Sequence, residues 1–230
     1  MNRARLWPLA TLILGLATLG VFLALGRQPD VRAVYGAGDV AAAVSAFQRA
    51  ETLGDLTAVF GAPPDLRAIA ALDAVNRLDL WAFIPAYVLF LTAAAIMLAQ
   101  ARNGPLLWAA IGFALIGGAA DAVETAKQLR VTADWDHAAA YLPIAPWYWL
   151  KYAALALNGF AVAGLCLLGE PRRSLLGAVA LAPLPCVLAA WAGLAETRVF
   201  SVAFAVYWIA LIVVAAGTAM RPGMAQGSPT

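Results

Sequence analysis

Charged residues are scarce in this chain. Asp, Glu, Lys and Arg make up only 12% of the 230 residues, whereas 63% are hydrophobic; a soluble domain is about a quarter charged and about half apolar. A surface this apolar requires lipid around it. The formal net charge is only +2, and a nucleic-acid-binding protein would need many clustered Lys and Arg. The composition therefore predicts an integral membrane protein and excludes a nucleic-acid partner.

Residues suited to metal and redox chemistry are also few. The two cysteines, Cys166 and Cys186, lie in apolar runs, and their spacing supports neither a disulfide framework nor a zinc site. The one histidine, His137, follows Asp134 and Asp136. That stretch could bind a divalent cation loosely, but a solvated loop is the favoured interpretation. With one histidine a bis-histidine haem is excluded, and we predict no metal site and no cofactor.

Motifs of common catalytic sites are missing as well. The sequence has no Gly-x-Ser-x-Gly elbow and no P-loop, and Tyr35-Gly-Ala-Gly38 is too short for a phosphate loop. Carboxylates beside a lysine could in principle do acid–base chemistry, but no residue indicates a substrate. We assign no catalytic residue; enzymatic activity stays open, with a non-enzymatic role favoured.

Apolar runs predict about six transmembrane helices, since about 20 mostly apolar residues cross a bilayer. The first run is longer than a signal-peptide core and no clear cleavage site follows it, so an uncleaved span is favoured. Pro183 and Pro185 fall inside the fifth run, where neighbouring helices can satisfy the freed backbone groups. The predicted spans cover residues 6–26, 78–100, 106–123, 147–168, 174–194 and 199–218.

The distribution of basic residues predicts the orientation. If the N-terminus is cytoplasmic, the short inner loops contain one acid, Glu170, against six arginines, as the positive-inside rule requires. Both termini are then cytoplasmic. The arginines are Arg3, Arg5, Arg102, Arg172, Arg173 and Arg221.

The fold predicted from these spans is an all-α, polytopic transmembrane helix bundle with a small helical extracytoplasmic cap between spans one and two. Its parts are a first transmembrane helix at 1–26, an extracytoplasmic helical loop at 27–77, a five-helix transmembrane bundle at 78–219, and a disordered cytoplasmic tail at 220–230.

Local signals divide the loop into short helices. Asp39 is the predicted N-cap of an amphipathic helix that includes Phe47. The stretch 53–55 is expected to break that helix, and a second helix is expected at 56–60. Pro63 and Pro64 are expected to start a third helix that continues into span two. About fifty residues bury little core alone, so we expect the loop to lie against the outer membrane face.

Several charged side chains fall near the predicted outer boundary of the membrane, where burying a charge is costly. Asp121 and Glu124 share a helix face, and small residues at 114, 117 and 118 continue that face, which indicates that it points into the bundle. A buried Lys151 needs an acidic partner, which Asp121, Glu124 or Asp79 could provide; alternatively, Lys151 extends to the membrane interface. Asn158 lies seven residues further along the same face. The candidate cluster, for binding or for ion pairing, comprises Asp79, Asp121, Glu124, Lys151 and Asn158.

Three stretches resemble a group of bacterial multi-span membrane proteins without an assigned activity. They are FQRAET at 47–52, LDLWAFIPAY at 78–87, which fits the group's Asp-aromatic-x-Tyr pattern, and DAVET at 121–125, which is similar to its Asp-x-x-Glu-Asn span end. Lys151 matches a lysine that follows in the group. Thr125 stands where the group usually has Asn, so the resemblance gives less support to any role that needs the side-chain amide. The resemblance implies a bacterial cytoplasmic (inner) membrane and includes four of the candidate residues.

Two functions are compatible with the sequence. One is binding or transport of a lipid headgroup, a small polar molecule or an ion at an outward-facing Asp/Glu/Lys cluster. The other is a non-catalytic accessory or structural role, in which the cluster is an ion-pair lock and the protein docks a protein partner or a second copy of itself. Membrane lipids are expected neighbours in both cases. Trp135, Trp147, Tyr148 and Trp149 are interpreted as an interfacial belt, with an aromatic lid over a ligand as the alternative.

Overall fold

The computed structural model of the chain describes residues 3–36, 40–99, 104–169 and 173–220. Those residues are almost entirely helical and include no β-strand. Six helical stretches among them are long and apolar enough to cross a membrane, which confirms the predicted all-α, six-span architecture. The stretches are Leu6–Tyr35, Leu66–Leu98, Gly104–Ala133, Ala145–Leu168, Ser174–Trp191 and Thr197–Ala219.

The helices follow one another with short connections. The region before the second span contains α1, α2, α3 and α4, at Arg3–Leu25, Pro29–Tyr35, Val40–Gln48 and Leu53–Phe60. The second and third spans comprise α5, a π-helical segment, α6 and α7, at Leu66–Leu78, Asp79–Phe83, Ile84–Leu98 and Gly104–Ala133. A 3₁₀ helix and α8, α9, α10 and α11 complete the described chain, at Trp135–Tyr141, Ala145–Leu168, Ser174–Leu181, Pro183–Trp191 and Thr197–Ala219.

The bundle is organised around α7 and α8, which pack along each other. Helix α1 packs against α6 and α11, whereas α9 and α10 pack against α8 and α11. Large apolar side chains such as Trp81, Trp108 and Leu175 remain exposed on the outside of the bundle. Lipid can cover such side chains at no cost, so the bundle fits a multi-pass membrane protein.

Short helices α2, α3 and α4 form a cap with a small hydrophobic core of its own. Its buried members include Phe47, Leu56 and Phe60, which meet Val131 of α7 and Ile144 at the start of α8. The rings of Phe47 and Phe60 lie edge to face at 4.9 Å. The cap therefore completes its core against the ends of the spanning helices, as expected for a segment too small to fold alone.

Two predictions about the cap were wrong in detail. Residues 53–55 do not break the preceding helix, which ends at Gln48, and the next helix, α4, begins at Leu53 rather than at residue 56. Its capping box explains this start: the Asp55 amide donates to Thr52 Oγ1 and the Thr52 amide donates to Asp55 Oδ2. The backbone N–H groups of Glu51 and Thr52 hold the pKa of Asp55 below its ordinary value. Helix α2 was not predicted. Asp39, the arginines at 102, 172 and 221, and the tail at 221–230 lie outside the described residues.

Helix α5 continues directly into span two, as predicted, but it begins at Leu66 with Asp65 as its N-cap. The third span also extends further than predicted. Helix α7 has 30 residues and is about 45 Å long at 1.5 Å per residue, whereas the hydrocarbon core is about 30 Å thick. Asp121 and Glu124 consequently do not end the helix. They lie inside it, between the bundle and the part of α7 that supports the cap.

Candidate functional site

Lys151 of α8 lies at the centre of the site and pairs with two carboxylates of α7. Its Nζ donates to Asp121 Oδ1 at 2.9 Å and lies 2.8 Å from Glu124 Oε2. All three side chains are at least 95% buried. A lysine and acids desolvated to this degree need one another, because an unpaired buried charge is strongly destabilising.

The small-residue stripe of α7 explains how these side chains come so close. A Cβ atom on Gly117 would lie 2.9 Å from Leu155 of α8, and one on Gly118 would lie 2.4 Å from Val88 of α6. Glycine at both positions lets α6 and α8 approach α7 closely, as small residues do between membrane helices. Because α7 meets α8 closely here, Lys151 reaches the next turn of α7 without leaving the interior.

Tyr87 of α6 supplies the second hydrogen bond to Asp121. Its hydroxyl donates to Asp121 Oδ2 at 3.0 Å, and its ring stacks on Trp208 of α11 at 5.6 Å. In the sequence, Tyr87 belongs to the pattern that resembles the bacterial group, but the pattern alone indicates no role for it. A tyrosine in the middle of an apolar span is itself a usable signal, because a buried hydroxyl has to find a partner.

Asp79 enters the site from the beginning of the π-helical segment. Its Oδ2 accepts a hydrogen bond of 3.0 Å from the Thr125 hydroxyl of α7. Thr125 therefore takes a place in the site although it lacks the amide of the related pattern. The π-helical segment widens the turn between α5 and α6, and such local widenings are frequent at functional sites. The helical periodicity of a sequence does not reveal a π segment, so this placement of Asp79 was not foreseeable.

Aromatic rings cover the ammonium group of Lys151. Its Nζ lies 4.9 Å from the ring centre of Tyr152 and 5.5 Å from that of Tyr148. Cations over aromatic faces at this distance are stabilised, and more strongly when water is excluded. Tyr148, which the sequence placed in an aromatic belt, thus faces inward, whereas Trp135 packs in the cap core against Phe60.

Charge is not balanced in the group formed by Asp79, Asp121, Glu124 and Lys151, which we call the acid–lysine cluster. Three carboxyl groups stand against one lysine: Lys151 pairs with Asp121 and Glu124, whereas Asp79 bonds to Thr125, and no other basic side chain among the described residues pairs with these acids. Glu124 Oε1 is buried without a hydrogen-bonding partner among the described residues. If all four groups were ionised, the cluster would hold two uncompensated negative charges in the protein interior.

Asn158, the fifth predicted member, belongs to a different site. Its Nδ2 donates to the Ala110 carbonyl at 2.9 Å, and its Oδ1 accepts from the Tyr207 hydroxyl at 3.1 Å. Seven residues of helix separate it from Lys151, a rise of about 10 Å. Lys151 and Asn158 are both buried on α8, but a shared helix face does not bring two side chains to one depth.

The loop with the single histidine forms a surface cluster. His137 Nδ1 lies 2.9 Å from Asp134 Oδ1, and the Tyr141 hydroxyl donates to Asp134 Oδ2 at 3.0 Å. Asp134 raises the pKa of His137 above its ordinary value of 6.5. The hydrogen bonds from His137 and Tyr141 lower the pKa of Asp134. Asp134 and His137 therefore find hydrogen-bonding partners within the loop itself.

Comparison with other proteins adds no assignment: no family model, no curated protein and no solved structure matches the chain. The resemblance to a bacterial membrane protein group stays a prediction.

Proposed function

We propose that this membrane protein binds a small cation, either a proton or an inorganic cation, at the acid–lysine cluster, and that this binding serves transport or coupling rather than catalysis. The observation that carries the proposal is the imbalance of three carboxyl groups, two buried and one partly buried, against one lysine. Low-dielectric surroundings make uncompensated charge costly. A mobile positive charge removes that cost, and an excess of buried acids in a membrane protein is typical of ion and proton pathways.

The same geometry argues against an anionic headgroup as the ligand. Lys151 is the natural group to bind a phosphate, but both acids of α7 already contact it and two tyrosine rings cover it. An added anion would meet two carboxylates before it met the ammonium group. The vacant hydrogen-bonding capacity lies on Glu124 Oε1, an acceptor, which suits a cation or a protonated partner.

A structural role is the second candidate, and the closed geometry of the ion pairs favours it. Lys151 joins α8 to α7, and Tyr87 joins α6 to the same acid. In this alternative the cluster is an ion-pair lock that fixes the packing of three helices. The protein would then be a non-catalytic accessory component that docks a protein partner or a second copy.

Thermal unfolding of the purified protein separates the two functions. We expect the Tm of the wild type to rise when the pH is lowered, or when Li⁺, Na⁺ or K⁺ replaces choline at constant ionic strength, because a ligand that binds only the folded state stabilises it. Glu124→Gln should lose most of this dependence. Glu196→Gln, which removes an exposed acid beside α11, should keep it.

The lock predicts a different pattern. The Tm of the wild type would then respond to pH and cations no more than that of Glu124→Gln, and the two variants would differ in Tm alone. A binding response in the wild type justifies reconstitution into liposomes with a trapped pH-sensitive dye, where decay of an imposed ion gradient measures transport.

The orientation belongs to the proposal as well. Arginines in the short connecting loops support a chain in a bacterial cytoplasmic membrane with both termini inside and with the cap and cluster towards the outer face. Replacing Cys166 and Cys186 with serine gives a protein without cysteine. Single cysteines can then be introduced at Gln48 in the cap and at the C-terminus. A membrane-impermeant maleimide should label the first in intact cells and the second only after lysis.

A further inference from the structure

Helix α7 carries a stripe of polar side chains that extends beyond the acid–lysine cluster. Asp121, Thr125, Gln128 and Thr132 follow one another at intervals of four, three and four residues, so they share one face of the helix. All four are buried, with at most 8% of their surface exposed. An apolar stripe is the rule for a packed helix face, so a wholly polar one requires another explanation.

Polar residues of α5 face this stripe in the opposite chain direction. Thr132 donates to Asp73 Oδ1 of α5, and Thr125 donates to Asp79 Oδ2 just beyond the end of α5. Between these two bridges lie Asn76 on one helix and Gln128 on the other. The contact surface of these residues, from Asp73 and Thr132 to Asp79 and Thr125, is called the polar seam below.

The amide nitrogens in the middle of the seam lack protein partners. Asn76 Nδ2 and Gln128 Nε2 are buried, and neither donates a hydrogen bond to any described residue. Their side chains are 6% and 2% exposed. A buried donor left unsatisfied is strongly unfavourable, and buried water commonly satisfies such groups when several polar atoms surround it. Hydroxyl and carboxylate groups flank these two amides on both sides.

The outer end of the seam is open to solvent. The Asp73 side chain is 20% exposed and lies 3.8 Å from the exposed guanidinium of Arg77. The inner end is Asp79, a member of the acid–lysine cluster. The seam is therefore continuous from an accessible carboxylate to the buried carboxyl groups, along the part of α7 that extends from the cap towards the bundle.

We propose that the polar seam holds ordered water and delivers protons from the surface at Asp73 to the acid–lysine cluster. The inference rests on the proposed function and specifies its cation as a proton. A hydronium ion at the outer end gives up one proton and becomes water, each bridging water passes a proton on, and an O–H bond forms on a cluster carboxylate. Charge and atoms balance, since one positive charge enters and one carboxylate is neutralised.

Several other ionisable groups surround the receiving carboxylates. The receiving carboxylates are those of Asp79, Asp121 and Glu124. The ammonium of Lys151 approaches Asp121 and Glu124 from α8, with the phenols of Tyr148 and Tyr152 beside it, and the phenol of Tyr87 approaches Asp121 from α6. Asp79 itself bonds to Thr125 and is only partly buried. Because Lys151 already neutralises one of the three acids, the remaining two carboxyl groups are the acceptors available to an arriving proton.

Infrared spectroscopy of the protein in lipid tests the proposal. The carbonyl band of a protonated carboxyl group should appear in the wild type and change in Asp79→Asn or Glu124→Gln, which assigns it to the cluster. On transfer to deuterated buffer the band shifts as the proton exchanges. We expect this exchange to be slower by about tenfold or more in Asn76→Leu and Gln128→Met, which remove the amides that bind the water.

Two matched variants control for general effects of the substitutions. Asn158→Leu removes a buried amide outside the seam, and Gln48→Met makes the same change as Gln128→Met at the end of α3 in the cap. Both should exchange at the wild-type rate. Seam variants that exchange as fast as the wild type would overturn the seam and leave cation binding intact. Absence of a protonated-carboxyl band in the wild type at every pH would overturn the proton as ligand.

Loss of folding in the seam variants would not end the test. An experimental structure of the wild type at a resolution that shows water then decides it. Density for water bonded to Asn76 Nδ2 or Gln128 Nε2 supports the seam, and amides that bond instead to protein atoms refute it. Failure of the broader proposal is recognised separately, by a wild-type Tm that is insensitive to cations and pH relative to Glu124→Gln.

Discussion

Helix α8 carries two buried polar side chains whose surroundings differ in a useful way. Asn158 donates to Ala110 and accepts from Tyr207, all three groups being neutral; we call this the asparagine node. Lys151, two turns earlier, pairs with two acids while a third acid lies nearby. Neutral donors and acceptors can be matched one to one in a closed interior. Three acids and one lysine cannot, so the second site retains a demand for positive charge.

This difference distinguishes the asparagine node, which contributes to helix packing, from the acid–lysine cluster, which is the candidate binding site. In the asparagine node Asn158 and Tyr207 have protein partners for their polar side-chain atoms, and the node lies in the bundle, where α8 and α9 approach closely. The acid–lysine cluster lies where the bundle meets the cap, with an unpartnered carboxylate oxygen and a polar seam leading to it. Burial alone does not distinguish the two sites, since both are closed; charge balance does.

Replacing Lys151 is the strongest test of the acid–lysine cluster. Lys151→Met leaves three carboxyl groups, two of them buried, without a cation, and we expect the free energy of unfolding to fall by about 3–5 kcal/mol. Thermal unfolding in mild detergent measures it. Combining the change with Asp121→Asn should recover part of the loss, because one charge is removed with the other. Equal Tm values for the wild type and Lys151→Met would contradict the pairing.

A methyl group added beside Asn158 tests how tightly the neutral site is packed. A Cβ atom at Gly159 would lie 2.5 Å from the Ala180 carbonyl oxygen of α9, a backbone atom that cannot rotate away. We expect Gly159→Ala to destabilise the fold by up to about 3 kcal/mol.

Gly112→Ala is the matched control for that substitution, because a Cβ there meets no atom within 4 Å. Its Tm should equal or slightly exceed that of the wild type, since alanine is the better helix former by about 1 kcal/mol. Similar losses in both variants would mean that helix α9 does not approach α8 as described.

Loss of the amide itself should have a smaller effect, and one without pH dependence. Asn158→Leu removes the acceptor of the Tyr207 hydroxyl and the donor to Ala110, for which we expect about 1–2 kcal/mol, as for hydrogen bonds between membrane helices. The loss should be the same at every pH at which the protein stays folded. A loss that varies with pH as that of Glu124→Gln does would remove the distinction between the two sites.

The surface contact between Asp134 and His137 should have the smallest effect on stability, because water screens its charges. As His137 is the single histidine, its NMR titration is unambiguous, and we expect a pKa above 6.5 in the wild type and an ordinary one in Asp134→Asn. Because the folded-state pKa is raised, the contact stabilises the fold fully below pH 6.5 and ceases to do so as the pH rises through the folded-state value.

The pKa of Asp134 is lowered from 3.8, so the same contact is also lost as the pH falls through that lower value. The effect on Tm should be small and should diminish with salt, because both groups are exposed. A His137 pKa that is unchanged in Asp134→Asn would contradict the contact.

Much of the fold could be predicted because membrane spans depend on local composition. Twenty apolar residues form a helix in lipid whatever surrounds them, since every backbone group must be satisfied within the segment. The six spans follow from this. Errors arose at the ends of helices: α5 and α7 extend beyond the apolar run, where the cap rather than lipid supports them. The capping box of α4 was visible in Thr52 and Asp55 but was interpreted as a break.

The candidate site could be predicted only in outline. Charges in apolar surroundings are conspicuous in a sequence, so Asp79, Asp121, Glu124 and Lys151 were recognisable one by one. Their partners were less so: Tyr87 and Tyr152 are ordinary residues of apolar helices, and Asn158 shares a face with Lys151 without sharing its site. Helical periodicity gives the direction of a side chain but not the depth at which another helix crosses.

What the sequence by itself determined is the environment and the elements: an apolar chain with six spans, a short helical segment before the second, and a few costly charges. Tertiary structure alone decided which groups meet. The contact between Lys151 and two acids depends on Gly117, which lets α7 and α8 approach. The position of Asp79 depends on a π segment, and the seam depends on α5 running antiparallel to α7. Contacts of this kind join residues distant in sequence, and only helix packing sets those distances.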